Sequence, residues 1–194
     1  MARTKEFDKQ KVLTKAMYAF LRYGYEGTSM QTLVSTMGIN RGSLYDTFGD
    51  KRSLFLAAIA HYEATIVKDT IACLMQPEAD KQTIISLFRG LVVDMAKEEN
   101  CYGCLMTNSA VELCPHDAEA KIKIDTYLKQ IARAFNRVLK QALAKGEIKG
   151  DSDLDAIAHY LTSSWQGLRV MGKVNRDPQT LNKIVDVILS VLDR

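Results

Sequence analysis

No stretch of this chain approaches the roughly 18 consecutive apolar residues that a bilayer-crossing helix needs, so no membrane partner is expected. Proline is scarce: Pro77, Pro115 and Pro178 are the only three, and each falls between apolar-periodic segments, where a helix ends or starts. Histidine is equally thin, at His61, His116 and His159, and no Ser-His-Asp set, phosphate loop or paired-carboxylate constellation can be assembled around it. That speaks against an enzyme, and no cofactor or metal is implied. The amino end, Met1-Ala2-Arg3-Thr4-Lys5-Glu6, is not followed by the apolar core of a secretory signal, which sets a cytoplasmic location as the expectation. Period-2 strand runs, internal repeats and low-complexity tracts are also absent.

What is present reads as an all-α protein of about nine helices. With 194 residues, 47% hydrophobic and 25% charged, the chain can bury a sizeable core. Its charge is unevenly placed. Residues 1–53 carry nine Lys/Arg against five Asp/Glu, a local +4, while the remaining 17 basic and 18 acidic residues give −1. A polyanionic partner near the amino end would explain the asymmetry.

The first helix is expected over about 6–23, with Leu13, Ala16, Met17 and Phe20 turned inward. Thr28-Ser29-Met30-Gln31 has capping-box spacing, with Thr28 as N-cap of a second helix whose inner face is Met30, Leu33, Val34 and Met37. Gly38 suits a left-handed helix end, and Asn40 suits the N-cap of a third helix. Asp50 caps a fourth, to about 75. Later apolar stripes predict helices over about 80–98, 105–113, 116–144, 152–171 and 178–192.

Two short helices joined through Gly38-Ile39-Asn40 and braced by a preceding one make a helix-turn-helix pattern, whose second helix would enter a DNA major groove. On a helical wheel Leu44, Tyr45 and Phe48 share one arc, and Gly42, Ser43, Asp46 and Thr47 face away from it. Glycine inside a helix costs about 0.5–1 kcal/mol relative to alanine. Its place in the first turn has two readings: a close approach to a phosphate or base edge, or a frayed start where the penalty is small.

The segment "GTSMQTLVSTMGINRGSLYDTFGDKRSLF" (27–55) resembles the DNA-binding signature of the tetracycline-repressor (TetR) family of bacterial transcription regulators. Its matching marks are a threonine opening the second helix, the Gly-apolar-Asn turn, basic-Gly-small-Leu-Tyr-x-x-Phe, and a lysine starting the fourth helix. "GCLMTNSAVEL" (103–113) and "WQGLRV" (165–170) resemble segments of some members' regulatory domains. The resemblance implies a helix-turn-helix DNA-binding domain over 1–50 and a helical ligand-binding and dimerisation domain over 51–194. It further implies that Arg41 and Gly42 approach bases, that Thr28, Ser43, Tyr45 and Thr47 contact phosphate or base edges, and that Lys51 grips a phosphate. Arginine can bind guanine O6 and N7 bidentately, and a helix-start lysine adds to amides already facing an anion. Asp46 departs from the family pattern, since a carboxylate there repels phosphate unless it accepts from cytosine N4 or pairs with Arg41 or Lys51.

By the same resemblance the eighth and ninth helices (about 152–171 and 178–192) pair with those of a second copy, making a homodimer on a palindromic double-stranded DNA operator. A small-molecule effector in the regulatory domain would release a repressor from that operator. Candidate pocket residues are Tyr62, Phe88, Met95, Met106, Asn108, Glu112, Tyr127 and Trp165. Asn108 and Glu112 carry the most weight, because a polar pair four apart on an apolar helix either faces solvent or holds a polar ligand group. The alternative input is cysteine-based: Cys101, Cys104, Cys114 and His116 lie within 16 residues and suggest a metal site, or Cys101 and Cys104 alone a thiol switch. A helical scaffold that no longer binds DNA is a third reading, favoured by Asp46 and opposed by the +4 charge.

Overall fold

The computed structural model describes residues 7–97, 102–149 and 153–193. Helix is the regular structure throughout them. In chain order stand α1 (Lys9–Tyr23), α2 (Met30–Met37), α3 (Arg41–Phe48), α4 (Lys51–Tyr62), α5 (Lys68–Leu74), α6 (Lys81–Met95), α7 (Leu105–Glu112), α8 (Ala118–Ala144), α9 (Leu154–Val174) and α10 (Pro178–Leu189). A π-helical turn, Glu63–Val67, joins α4 to α5 without a break, so the described residues form nine rods. The expected all-α architecture and helix number are observed.

The rods start where side chains can satisfy orphan N–H groups. Asp8, Ser29, Asn40, Asp50, Asp80, Asp117, Asp153 and Asp177 each accept from backbone N–H groups two or three residues on. Each such cap is worth about 1 kcal/mol. One expectation fails here: α2 is capped by Ser29, whose Oγ accepts from the Thr32 N–H at 3.0 Å, and Thr28 is buried one residue earlier. The Thr28 hydroxyl donates to the Gly24 carbonyl instead, closing the α1–α2 turn.

α1, α2 and α3 form a tri-helical head that shares its core with α4. Phe20, Leu33, Met37, Leu44 and Phe55 are fully or almost fully buried, and the Phe20 and Phe55 rings meet edge-to-face at 5.0 Å. In the body α8 packs along α9, and α6 packs on α10. Phe88 of α6 sits between Phe135 and Trp165, at 6.1 and 5.3 Å between ring centroids.

The α9 stripe Ala158, Leu161, Trp165 and Leu168 is buried inside the subunit. A second stripe on α9 remains outside. Tyr160, Ser163, Gly167, Val170 and Val174 recur at intervals of three and four, with Met171 beside them, and all are exposed, as is Val187 of α10. No described helix is long and apolar enough to cross a membrane.

Candidate nucleic-acid interface and ligand cavity

The turn between α2 and α3 is set by two residues. Gly38 adopts φ 72°, ψ 30°, the left-handed conformation that closes a helix with no Cβ penalty. Asn40 Oδ1 then accepts from the Ser43 N–H at 2.8 Å and starts α3. Leu44 and Phe48 plunge into the head, and the opposite face is left to solvent: Arg41, Gly42, Tyr45 and Asp46 are exposed, and Ser43 is half-buried. A Cβ on Gly42 would meet only Asn40 Oδ1, at an ordinary 3.4 Å. Nothing in the chain's own packing therefore requires glycine at that position.

The helical wheel misplaced two residues. Tyr45, expected on the inner arc, is 42% exposed, and Arg41 lies against it, with Nη2 donating to the Tyr45 hydroxyl at 3.5 Å. Thr47, expected to face outward, is half-buried and its Oγ1 is enclosed without a hydrogen-bond partner. At 3.6 residues per turn both residues stand about 80° from the Leu44–Phe48 midpoint, on opposite sides, so the wheel alone does not decide which of them is enclosed. Lys51 follows at the start of α4, with Nζ 4.4 Å from the centre of the Tyr25 ring. Thr28 does not join this surface, because its side chain is buried and spent on the α1–α2 turn.

Behind the head lies a cavity of about 240 Å³. Tyr18 and Leu21 of α1 form one wall, so the tri-helical head itself lines the chamber. Tyr62, Leu91, Met95 and Arg169 supply others. Of the eight expected pocket residues, Tyr62 and Met95 line this space. Tyr127 and Trp165 line a much smaller recess that shares Tyr62 and Arg169 with it. Phe88 and Met106 are fully buried and line neither.

Asn108 and Glu112, the two polar pointers, have structural jobs instead. Asn108 Nδ2 donates to the Leu21 and Tyr102 carbonyls at 3.4 and 3.2 Å, and its Oδ1 accepts from Lys173 Nζ at 3.3 Å. The Glu112 carboxylate reaches the head, accepting from the N–H groups of Tyr25 at 2.8 Å and Glu26 at 2.6 Å. Gly24, at φ 76°, makes room for it, since a Cβ there would stand 2.9 Å from Glu112 Oε2. A second tie joins head and body at the start of α4: Arg52 holds Asp117 at 3.0 Å and Glu119 at 2.8 Å.

Sequence reasoning missed Arg169. Its Nη1 donates to the Tyr62 hydroxyl at 3.1 Å, its guanidinium lies 5.2 Å from the centre of the Trp165 ring, and its Nε is enclosed without a partner. No carboxylate pairs with it among the described residues. The neighbouring polar groups are neutral partners of one another: Thr107 donates to Gln166 Oε1 at 2.6 Å, and Gln166 Nε2 donates to the Tyr127 hydroxyl at 2.9 Å. Burial pushes the Tyr62 and Tyr127 hydroxyls above their ordinary range, which keeps both neutral beside the cation. For the Cys104 thiol, burial pushes upward, yet the Arg169 charge and the Thr107 N–H outweigh it and the net shift is downward. The available signal was an arginine interrupting the apolar stripe of "WQGLRV".

The metal site among Cys104, Cys114 and His116 loses its geometry. Cys104 is buried against Tyr127, whose hydroxyl is 3.9 Å from Sγ, whereas Cys114 and exposed His116 lie beyond the far end of α7. An eight-residue helix spans roughly 12 Å, too far for one coordination shell. No group of three metal-capable side chains occurs among the described residues. Cys101 lies outside them.

Residues 12–58 match the family model for bacterial regulatory proteins of the tetR family, and residues 82–188 match that for the tetracycline repressor-like C-terminal domain. The chain is 42% identical over its full length to the full length of YezE, an HTH-type transcriptional regulator of Bacillus subtilis. It is 26% identical to the HTH-type transcriptional repressor ComR of Escherichia coli, across 95% of this chain and 87% of that one. Among solved structures, a cysteine-substituted form of the TetR family regulator CifR, complexed with 26-bp double-strand operator DNA, superposes with a TM-score of 0.86. The identity there is 27%, and the match covers 97% of this chain and 98% of the other.

Proposed function

This chain belongs to the TetR family of DNA-binding transcriptional regulators, and on that premise we propose that it is a homodimeric repressor released from its operator by a small molecule. The observation that carries the reading is the outward face of α3, where Arg41, Gly42, Ser43 and Tyr45 stand clear of a helix anchored by Leu44 and Phe48. Gly42 gives up helix stability for nothing inside the chain, and a backbone without a Cβ can approach a base edge or phosphate closely. Arg41 is the candidate for base readout; Tyr45 and Lys51 are the candidates for phosphate. Two solved structures of the relative CifR are complexes with operator DNA, which supports the same use of this surface.

Dimerisation is assigned to the exposed α9 stripe with Val187 of α10. A Cβ on Gly167 would meet nothing within 4 Å in its own subunit, so the small residue serves a neighbour pressed against it. Two-fold pairing there would set two α3 helices about 34–36 Å apart, one turn of DNA. The effector site is assigned to the 240 Å³ cavity. Because Tyr18 and Leu21 form part of its wall, a ligand that favours a wider chamber displaces α1, and with it the head.

A gel-shift with DNA from upstream of the chain's own gene tests this. Specific binding is expected to weaken steeply with salt, because Lys/Arg contacts release counterions from phosphate. Absence of specific binding to any neighbouring promoter sinks the repressor reading.

A further inference from the structure

The cavity's chemistry narrows what can occupy it. Its lining is mostly apolar or aromatic, and it holds one cation and one anion of very different placement. Asp94 is at the exposed rim, drawn toward solvent by Lys97 at 2.7 Å. Arg169 is half-buried and lines the cavity, held between the Tyr62 hydroxyl and the Trp165 ring with no carboxylate beside it among the described residues. A guanidinium cannot shed its proton, and burying it without a counter-charge is costly, so the fold holds a positive site ready for an anion.

We propose that this cavity takes a small organic carboxylate, whose oxygens pair with Arg169 and whose apolar remainder lies against Leu21, Leu91 and Met95. The proposal rests on the effector site assigned above and names its chemical class. Size agrees, since 240 Å³ is the room of roughly eight waters at ~30 Å³ each, which suits a small acid and not a large one. The planar fork of Arg169 matches a carboxylate, and its fixation by Tyr62 and Trp165 before binding removes ordering entropy that a free side chain would lose. The remaining candidate counter-charge is internal: a Cys104 thiolate would neutralise Arg169 with no ligand at all.

The test is calorimetric titration of the full-length protein with propionate, hexanoate, benzoate and phenylacetate, each beside its neutral amide. One or more acids should bind while the matching amide does not. Arg169→Gln should weaken that binding roughly ten- to hundredfold, the loss expected for a charge-assisted pair, and Arg169→Lys should recover part of it. If the glutamine variant fails to fold by circular dichroism, the acid-against-amide comparison in the wild type decides. Equal binding of acid and amide, or no binding of any acid, overturns the proposal. So does acid binding that survives in a folded Arg169→Gln protein, or that appears only in Cys104→Ser, the sign of an internal thiolate partner. A parallel gel-shift without ligand keeps the two readings apart: operator binding with no acid binding refutes this inference alone, and acid binding with no operator binding refutes the repressor reading alone.

Discussion

The Glu112 carboxylate accepts a 2.8 Å hydrogen bond from the backbone N–H of Tyr25, at the turn between α1 and α2. It thereby fastens the end of a body helix to the hinge of the DNA-facing head. The other end of α7 abuts the cavity, through Tyr102, Gly103 and the Asn108 bridge to Leu21. α7 is therefore a strut with one end at the chamber and the other on the head, and the proposed release of the operator by a ligand would run through it. Glu112→Ala should speed amide hydrogen exchange at Tyr25 and Glu26 and lower stability by about 1–3 kcal/mol, the usual worth of hydrogen bonds to a charged group. Operator affinity should also become less sensitive to effector. Unchanged exchange at both amides would remove the strut from the argument.

Much of this was legible before any coordinates. Gly38 and Asn40 announced the α2–α3 turn because their conformational and capping roles are local, and so do not depend on the rest of the fold. Leu44 and Phe48 were legible for the same reason, being four apart on one short helix. The errors came where local pattern was ambiguous. Thr28 and Ser29 are both capping residues, and burial decided between them. Trp165 fits any apolar seam, and only packing against Phe88 shows that the seam is internal. Glu112 was singled out correctly as a carboxylate that needed partners, but those partners are backbone N–H groups 86 and 87 residues away, which no spacing rule can reach.

At the DNA surface, Arg41 and Lys51 should fail differently. If Arg41 holds a guanine edge, Arg41→Ala costs about 1–3 kcal/mol on the operator and relaxes preference at one base pair. Lys51→Ala should weaken all sequences alike and lower the slope of log affinity against log salt by about 1. Tyr45→Phe removes only the hydroxyl and should weaken operator binding with little change in stability, as the side chain is already exposed. Fluorescence anisotropy on operator and scrambled duplexes across a salt series separates the three. A salt slope unmoved by Lys51→Ala would place that lysine off the phosphate track.

Gly167→Glu tests the outer stripe of α9. The added side chain has open space in its own subunit, so helical content and the fold should persist. Against a second copy, it would place a charge at the centre of an apolar seam. Light scattering should report a monomer, and operator binding should fall steeply because the two half-site contacts are no longer tied together. Dimers of undiminished affinity would move the interface elsewhere.

Acid should weaken the fold through its helix starts. Asp50, Asp80, Asp117 and Asp177 all have carboxyls held below the ordinary range: Asp50 and Asp80 first by the N–H groups of Ser53 and Thr83, Asp117 first by Arg52, and Asp177 first by the Thr180 hydroxyl. Each group titrates lower in the folded chain than in the unfolded one. The stability it contributes is therefore complete above the unfolded carboxylate pKa of about 3.9, and is lost as pH falls through the lower folded value. Tm should be level near neutrality and drop increasingly below about pH 4. Asp177→Asn keeps a good N-cap that cannot titrate, so it should resemble the wild type at neutral pH and lose less on acidification. Asp117→Asn should behave differently, with a lower Tm already at neutral pH, because it also weakens the Arg52 tie between head and body. Melting curves for the three proteins across the acid range check this, and parallel losses in all three would mean that the caps do not govern the acid limb.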